Sequence, residues 1–271
     1  MYLLIKPLGS VIFKWGGVNS ILLNGSINSG YFEPLPLPST IYGLLKYAYI
    51  INGLGKEPPS FKGPLLYAKG NEKEVLCIHL YSQGLKCNIN GNEEDKKVEE
   101  EDFERRIGIA IDRNTKSTKE GYIYMERMLD LYKLTNRLLE EAPQRYGILL
   151  EVKDEKTKKL DGLIVPFGGE SRPAKISVVD EIMKNKKIGK RLLASPAIVD
   201  KGDGKSIEWG QESVKIESYT NKITYRLMSL GFEVNRRLPI RLALMPTVEV
   251  LDRKDSIGYC TDKGWGSVVE L

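Results

Sequence analysis

The apolar residues of this chain come in short runs, most of which have the β-branched and aromatic content of strands. The first run, Tyr2–Lys14, predicts an opening strand. A segment with helical spacing follows, which Ser39 or Thr40 can cap and which we expect to end near Asn52–Gly53. The apolar face of this predicted helix consists of Ile41, Leu44, Leu45 and Ala48.

The middle of the chain predicts a long β-hairpin, residues 106–128, followed by a second helix that stops at Pro143. The polar tip of the hairpin carries three cations, Arg113, Lys116 and Lys119. The apolar face of the second helix consists of Leu131, Leu134 and Leu138. Strands and helices in this order predict an α+β fold with helices on one face of a sheet.

The second half of the chain is a looser copy of this order of elements, and it predicts a second domain. We place one domain at residues 1–145 and the other at residues 146–271. The first domain contains an acidic loop, residues 88–104, and the hairpin. The second domain contains glycine-rich loops.

The formal net charge of +5 is unevenly distributed. Residues 88–104 hold eight acidic and two basic residues, and the rest of the chain has 39 basic and 28 acidic residues, a charge of +11. A basic body indicates a polyanionic partner such as nucleic acid. A charge-rich surface that serves solubility and heat tolerance is the alternative. The acidic segment lacks the spacing of a calcium loop, so we expect a solvated, mobile loop.

Cysteine usage and the length of the apolar runs indicate a cytoplasmic protein. The cysteines Cys77, Cys87 and Cys260 show no C-x-x-C spacing, so we expect no disulfide framework and no structural zinc site. No run approaches the roughly 18 apolar residues of a membrane helix. The N-terminal residues lack the pattern of an export signal. We expect neither a metal nor another cofactor.

The sequence offers little support for an enzyme. His79 is the single histidine, and no G-x-S-x-G motif presents a nucleophile. A metal-independent ribonuclease could use His79 as a general base toward a ribose hydroxyl. The competing interpretation is a half-buried strand histidine. Nucleotide-binding glycine motifs are also absent from the sequence.

Two glycine-rich segments combine open backbone with nearby charge. "VPFGGESRPAK", Val165–Lys175, and "KGWGS", Lys263–Ser267, can each accommodate phosphate oxygens, and Trp265 offers a stacking face. Ordinary turns are the alternative for both segments. RNA recognition requires open backbone, cations and flat surfaces together, so the residues predict a single-stranded RNA-binding or protein-assembly module.

Three segments resemble the RAMP superfamily of CRISPR proteins and, within it, the family of third Cmr subunits of type III-B effector complexes. They are "PLPLPSTIYGLLKYA" (Pro34–Ala48), "RIGIAIDRNTKSTKEGYIYMERML" (Arg106–Leu129) and "VPFGGESRPAK". The middle segment is the most specific of the three. The arginine–aspartate pair that often follows the first strand in this family is replaced here by "FKWGGVN", Phe13–Asn19. The sister subunit of type III-A complexes shares much of the pattern.

The resemblance implies two ferredoxin-like domains, related to RNA-recognition-motif folds, with the hairpin acting as a thumb. It also implies a non-catalytic subunit that holds the 5′ tag of CRISPR RNA (crRNA). Its partners would be the large Cas10-type subunit and a neighbouring RAMP backbone subunit. The alternatives are a ribonuclease that processes precursor crRNA through His79, or the equivalent subunit of a type III-A complex.

We expect the RNA-binding residues to lie on the first helix, the hairpin tip, the glycine-rich loops and a late arginine cluster. Gly43 indicates close approach of another backbone, and Lys46 lies one turn further on; tight helix–sheet packing is the alternative. The expected RNA-binding residues are Lys46, Arg113, Lys116, Lys119, Gly168, Gly169, Arg172, Lys175, Arg236, Arg237, Arg241, Gly264, Trp265 and Gly266.

Overall fold

The computed structural model describes most of the 271-residue chain, mainly as antiparallel β-sheet with two α-helices. The described residues are 1–17, 30–81, 84–111, 115, 117–168, 171–182, 190–220, 222–229, 232–233, 236–237 and 240–270. This architecture confirms the predicted α+β class. Neither helix has the length and apolarity that crossing a membrane requires.

The elements are numbered in chain order. The first part contains β1 (Tyr2–Pro7), β2 (Lys14–Gly17), β3 (Gly30–Phe32), α1 (Pro38–Ile51), β4 (Phe61–Lys69), β5 (Glu74–Leu80), β6 (Gly84–Ile89), β7 (Asn92–Lys97), β8 (Phe103–Ile111), β9 (Thr118–Leu129), α2 (Leu131–Leu139), β10 (Arg145–Val152), β11 (Ile164–Phe167) and β12 (Arg172–Val179).

The remaining elements are short strands. They are β13 (Arg191–Leu193), β14 (Ala197–Val199), β15 (Lys201–Gly202), β16 (Ser206–Trp209), β17 (Glu212–Ser218), β18 (Tyr225–Ser229), β19 (Phe232–Glu233), β20 (Arg236–Arg237), β21 (Ile240–Leu244), β22 (Val248–Val250) and β23 (Val268–Glu270). Short 3₁₀ helices occur at Glu100–Asp102, Glu155–Leu160 and Thr261–Lys263.

Helix α1 begins at Pro38, ahead of the two predicted capping residues. Proline suits the first turn because the N–H that it lacks would have no partner there. Asn52 ends the helix, and its side-chain amide donates a hydrogen bond to the Ala48 carbonyl oxygen at 2.9 Å. The predicted apolar face is confirmed, because its four residues are buried. The predicted face of α2 is confirmed in the same way.

An eight-stranded antiparallel sheet organises the first part of the described chain, with the strand order β11-β12-β1-β10-β4-β5-β6-β7. Strands β1 and β4 both run antiparallel to β10, which lies between them, and α1 connects them. The segment β1–α1–β4 is therefore a split βαβ unit. Helices α1 and α2 bury their apolar faces in one core with this sheet.

This sheet extends across the domain boundary that the sequence analysis places at residue 145. Strands β10 and β12, both assigned there to the second domain, pair with the two edges of β1. The reason lies in β1, where Leu3, Leu4 and Ile5 are consecutive and all buried. A strand with both faces covered is typical of the interior of a sheet, so β1 needs a partner on each side.

The later strands form smaller sheets around a core of their own. A six-stranded sheet has the order β15-β16-β17-β22-β13-β23, and β14, β21 and β18 form a three-stranded sheet. Leu193, Ile207, Val214 and Leu244 belong to this core. A separate apolar layer connects the two parts, because Leu192 and Ala194 pack in one cluster with residues of the large sheet, including Leu4, Leu65, Tyr67 and Leu149.

The acidic segment, residues 88–104, is ordered, which corrects the expectation of a mobile loop. It completes β6, forms β7 and a 3₁₀ turn, and enters β8. Asp102 is 1% exposed, and its Oδ2 lies 2.6 Å from Nη2 of Arg137 in α2. Lys86 lies 3.1 Å from Glu93 and 3.0 Å from Asp95. The acidic residues therefore neutralise cations of this chain and hold its elements together.

The structure also corrects the expectation for the cysteines. Cys77 on β5 and Cys87 on β6 lie directly opposite each other and form a disulfide, with 4.0 Å between their Cα atoms. Both are fully buried in the core of the large sheet. Spacing along the chain does not reveal this pair, because strand pairing alone brings the two residues together.

Candidate nucleic-acid interface

The hairpin that the sequence predicts consists of β8 and β9, which pair from Phe103↔Leu129 to Ile111↔Thr118. Two of the predicted tip cations, Arg113 and Lys116, lie outside the described residues. Lys119 belongs to β9, and its side chain lies outside the description as well. The two-stranded ribbon therefore leads directly to the cationic segment of the sequence.

The double-glycine segment follows β11. Gly169 lies outside the described residues, whereas Gly168 has φ +67°, in the left-handed region. A Cβ atom on Gly168 would lie 3.2 Å from Cε1 of Phe13. The Phe13 ring in turn packs 5.4 Å from the Phe167 ring. This side of Gly168 faces the core of the chain rather than a ligand.

The structure corrects the prediction for the KGWGS loop. Trp265 is 2% exposed and packs in an internal apolar cluster, so its ring cannot stack on a base. A Cβ on Gly266 would lie 1.8 Å from the Ile257 carbonyl oxygen, and one on Gly264 would lie 2.2 Å from the Phe61 ring. These glycines therefore accommodate this chain's own backbone and ring.

Lys46 lies beside the same loop on the outer part of α1. Its ammonium lies 2.9 Å from Glu57 and 5.8 Å from the centre of the Tyr42 ring. Lys263 approaches the same ring at 5.3 Å. Burial, together with a hydrogen bond to Glu57, raises the pKa of Tyr42 to about 12. The fold thus brings Lys46 and Lys263, far apart in sequence, to one tyrosine.

Gly43 lies on the exposed side of α1, and among the described residues no atom outside this turn of the helix lies within 4 Å of the position of its missing Cβ. The alternative of tight helix–sheet packing at this glycine is therefore wrong for this chain. The surface above Gly43 is open, which leaves room for the backbone of another molecule.

Two predicted cations lie on β12. Arg172 begins the strand, opposite Phe167, and is half-buried. Lys175 is exposed and lies directly opposite Lys6 of β1 on one side and Ile164 of β11 on the other. Neither Lys6 nor Lys175 makes an ion pair with the described residues. The sheet therefore concentrates two uncompensated positive charges at this point.

The late arginine cluster lies on two neighbouring elements. Arg236 and Arg237 form β20, which pairs with β19, and their side chains lie outside the description. Arg241 is exposed on β21. A backbone N–H of Gly210 and the Tyr259 hydroxyl lower the pKa of Asp200, and the charge of Arg241 contributes to the same shift.

His79 is fully buried and pairs with a carboxylate. Its Nε2 lies 2.7 Å from Oε2 of Glu33, and the two side chains are 0% and 3% exposed. The Trp15 ring meets the imidazole edge-on, with 4.7 Å between the ring centres. A ribose hydroxyl cannot reach a side chain that solvent does not reach. His79 is therefore a core residue, and the interpretation as a half-buried strand histidine underestimated its burial.

No potential metal site occurs in the described parts of the chain, where no group of three or more His, Cys, Asp or Glu side chains is suitably placed.

Comparison with known proteins identifies the family. The family model described as CRISPR-associated protein (Cas_Cmr3) matches residues 72–226, more than half of the chain. The chain belongs to the Cmr3 family.

A curated relative of this Cmr3-family chain is the CRISPR system CMR subunit Cmr3 of Saccharolobus solfataricus. It is 28% identical over 207 residues. The alignment covers 65% of this chain and 63% of the relative, so the chain spans less than two thirds of that protein's length.

Solved structures show a similar fold. The chain matches one from the cryo-EM structure of the Type III-B Cmr-beta bound to cognate target RNA, with a TM-score of 0.59 and 20% identity. The match covers 93% of this chain and 86% of the other. A second match, to the same assembly bound to cognate target RNA and AMPPnP, has a TM-score of 0.58. At this identity the likeness concerns the fold.

The sequence does not reveal a cleft of about 400 Å³ that lies beside the hairpin of this Cmr3-family chain. Lys6, Arg106, Tyr132 and Tyr146 line it, and they come from four different elements. One signal was visible: Lys6 stands at the end of an apolar strand, where a charge is uncommon. Tyr132 and Tyr146 do not indicate a cleft in the sequence, because each fits the residue pattern of the helix or strand that contains it.

Proposed function

We propose that this chain is the subunit of a type III-B Cmr effector complex that binds the 5′ tag of crRNA and contacts the large Cas10-type subunit. The family match carries this proposal, because it includes both the hairpin and the double-glycine segment. The curated relative is named a CMR subunit, and the solved relatives belong to a Cmr-beta assembly with target RNA. Those names support an RNA-bound role in a multi-subunit complex.

For the fold we propose two ferredoxin-like domains, with the hairpin of β8 and β9 acting as a thumb. The split βαβ unit β1–α1–β4, with β10 between its strands, supports this assignment for the first domain. Sheet pairing favours a boundary between Val179 and Arg191 rather than near residue 145.

We propose that RNA phosphates lie along the hairpin tip, the exposed end of β12 and the outer part of α1. Lys175 is exposed and makes no ion pair with the described residues, and a cation of this kind favours a polyanion, since burying it against protein would require a carboxylate partner. The residues proposed for this path are Lys46, Arg113, Lys116, Lys119, Gly168, Gly169, Arg172, Lys175, Arg236, Arg237 and Arg241.

The test replaces the three tip cations together, as R113A/K116A/K119A, in the reconstituted complex. Affinity for tag-bearing RNA is measured between 50 and 300 mM salt, a range chosen to change counterion release. Each phosphate contact contributes about −0.7 to the slope of log K against log salt, so we expect the slope to become shallower by about 2.

A matched control removes three cations from the exposed 3₁₀ turn Glu155–Leu160, as K156A/K158A/K159A. This control should leave the slope unchanged. Equal slopes for the wild type and both variants would contradict the proposed role of the hairpin tip.

Co-purification of the full chain with the large Cas10-type subunit tests the proposed contact between the two proteins, and separate elution of the two proteins would contradict it.

We propose that the chain itself cleaves no RNA. The burial of His79 supports this, because the single histidine has no access to substrate. Incubation of the wild type and His79→Ala with repeat RNA should show no cleavage by either protein. Cleavage by the wild type that His79→Ala abolishes, with its folding verified by circular dichroism, would favour the ribonuclease instead.

A further inference from the structure

The cleft beside the hairpin lies where four elements meet. The end of β1 and the residues after it form one wall, β8 forms another, and the starts of α2 and β10 complete it. Its volume of about 400 Å³ falls within the range of roughly 300–1,000 Å³ that is typical of small-ligand sites. A cleft of this size can hold a single nucleotide.

Two tyrosines provide a flat, accessible surface in the cleft. Tyr132, at the start of α2, is 43% exposed, and its ring centre lies 5.7 Å from that of Tyr146 at an interplanar angle of 67°. The ammonium of Lys6 lies 4.5 Å above the Tyr146 ring. Tyr146 is thus held between Tyr132 and Lys6, which fixes the position of the Tyr132 ring. An aromatic ring that is both supported and exposed is suited to stacking with a base.

Of the two cations that line the cleft, Lys6 makes no ion pair with the described residues, whereas Arg106 approaches Glu104. Lys6 lies directly opposite Lys175, and like charges opposite each other destabilise a sheet. An anion bound between the two ammonium groups would offset this repulsion. Arg106 adds a third, exposed cation from β8, 3.7 Å from Glu104. These positions suit a phosphate group attached to a ligand that enters the cleft.

Glu104 makes the cleft more than a phosphate site. Its carboxylate accepts a hydrogen bond from the Ser10 hydroxyl, which orients it, and it remains partly exposed. Asp130 is less available, because its side chain caps α2 by accepting hydrogen bonds from two backbone amides. A carboxylate repels free phosphate but accepts N–H groups, which the edges of amino-bearing bases provide.

We propose that this cleft binds one unpaired nucleotide, with its base stacked on Tyr132, its exocyclic amino group donating to Glu104 and its phosphate near Lys6 and Lys175. Stacking combined with hydrogen bonds to the base edge is the usual mode of single-stranded RNA recognition. That the nucleotide comes from an RNA strand, rather than from free nucleotides, rests on the proposed function. Uridine has no exocyclic amino group and offers Glu104 only its ring N3–H, so we expect the cleft to prefer adenosine, cytidine or guanosine.

The first experiment uses ultraviolet crosslinking of natural RNA in the reconstituted complex, followed by mass spectrometry. We expect an adduct on Tyr132 or Tyr146 in the wild type. Tyr132→Ala should weaken binding of short single-stranded oligonucleotides about tenfold, whereas Tyr132→Phe keeps the ring and should stay within about threefold. The control is Leu251→Ala, which removes an exposed apolar side chain outside both the cleft and the proposed RNA path and should change nothing.

The second experiment tests the carboxylate. The wild type should bind oligoadenylate or oligocytidylate more tightly than oligouridylate, and Glu104→Gln should reduce this preference. Thermal unfolding of each variant verifies that the fold is intact. Equal affinities for wild type, Tyr132→Ala and Leu251→Ala, together with no adduct in the cleft, would overturn the proposal.

The outcomes also separate this inference from the proposed function. If the hairpin variant loses tag RNA while Tyr132→Ala does not, the cleft assignment fails and the proposed function stands. Titration of the full chain with AMP and CMP tests whether the cleft binds free nucleotides rather than an RNA strand. Binding that depends on Tyr132 but is confined to these mononucleotides would support the nucleotide site and overturn its assignment to RNA.

Discussion

Glycines with similar backbone angles have opposite meanings in this protein, depending on their surroundings. Gly204 and Gly266 both have positive φ, +87° and +65°. No atom of the other described residues, chain neighbours apart, lies within 4 Å of a Cβ placed on Gly204, whereas a Cβ on Gly266 would overlap the Ile257 carbonyl oxygen. Gly204 is therefore required only by its left-handed backbone conformation, whereas Gly266 is also required because a side chain would not fit.

We therefore expect Gly266→Ala to destabilise the protein much more than Gly204→Ala. A left-handed backbone costs alanine roughly 1–2 kcal/mol, and this is the whole expected effect at residue 204. At residue 266 the overlap forces a backbone shift, which adds about 2 kcal/mol or more. Urea denaturation of both variants measures the difference. Similar unfolding free energies would show that the loop relaxes freely.

A single carboxylate connects the turn between β4 and β5 to the end of α2. Glu141 accepts hydrogen bonds from the backbone N–H groups of Lys73, Glu72 and Asn71, at 2.8, 3.0 and 3.0 Å. These bonds hold the pKa of Glu141 below its usual value of 4.5. The stabilisation is present above that value and is lost as the pH falls through the lowered pKa of the folded state.

We expect Glu141→Gln to lower stability at pH 7, and we expect the difference from the wild type to shrink as the pH falls from 4.5 through the lowered pKa of the wild-type carboxyl. The free energy of unfolding, measured by urea denaturation across this pH range, provides the test. Glu72→Gln removes a charge from the same turn without removing the three hydrogen bonds, so it serves as the control. If the unfolding free energies of wild type and Glu141→Gln differed by the same amount at every pH, the ionised Glu141 carboxylate would not be the source of the stabilisation.

At the scale of elements, buried charge joins α2 to the acidic segment. Arg137 of α2 contacts Asp102 through two hydrogen bonds, of 2.6 and 3.1 Å, and donates a third to the Lys97 carbonyl oxygen at 2.7 Å. Asp102 also accepts from the backbone N–H of Glu99. A negatively charged segment is thus part of the folded scaffold, because its most buried carboxylate has a cation within reach.

Arg137→Gln should destabilise the protein by about 2–3 kcal/mol, since it leaves the carboxylate of Asp102 buried without its cation. The expected cost is below that of a fully enclosed pair, because the Arg137 side chain is 26% exposed. Arg105→Gln disrupts an exposed pair with Glu100 and should cost less than about 1 kcal/mol. Thermal and urea unfolding measure the stability of the two variants. An equal loss of stability in both would contradict the expectation that the buried ion pair contributes more than the exposed one.

At the scale of the whole molecule, the later strands cover one face of the large sheet. Leu192 and Ala194 pack in the cluster that contains Leu4, Tyr67 and Leu149, on the face opposite the helices. At these residues the sheet is therefore packed against other elements on both faces. This layer explains why β4 and β10 are apolar on both sides.

A chain truncated after Asp180 should expose that apolar layer. We expect this fragment to bind a hydrophobic dye and to self-associate, whereas the full chain does neither, because contiguous apolar surface of this extent is uncommon on a monomer. Size-exclusion chromatography with dye fluorescence provides the measurement. A monomeric fragment without dye binding would show that residues 1–180 form an independent domain.

Local patterns were sufficient to predict the apolar faces of both helices and the paired strands of the hairpin. Each depends on the spacing of neighbouring residues, which backbone geometry converts directly into a face or a turn. The burial of Trp265 and of His79, the partners of β1 and the pairing of Cys77 with Cys87 depend instead on which distant segments meet. Lys6, Tyr132 and Tyr146 form one cleft for the same reason: strand order is a non-local choice, made by the packing of the whole chain.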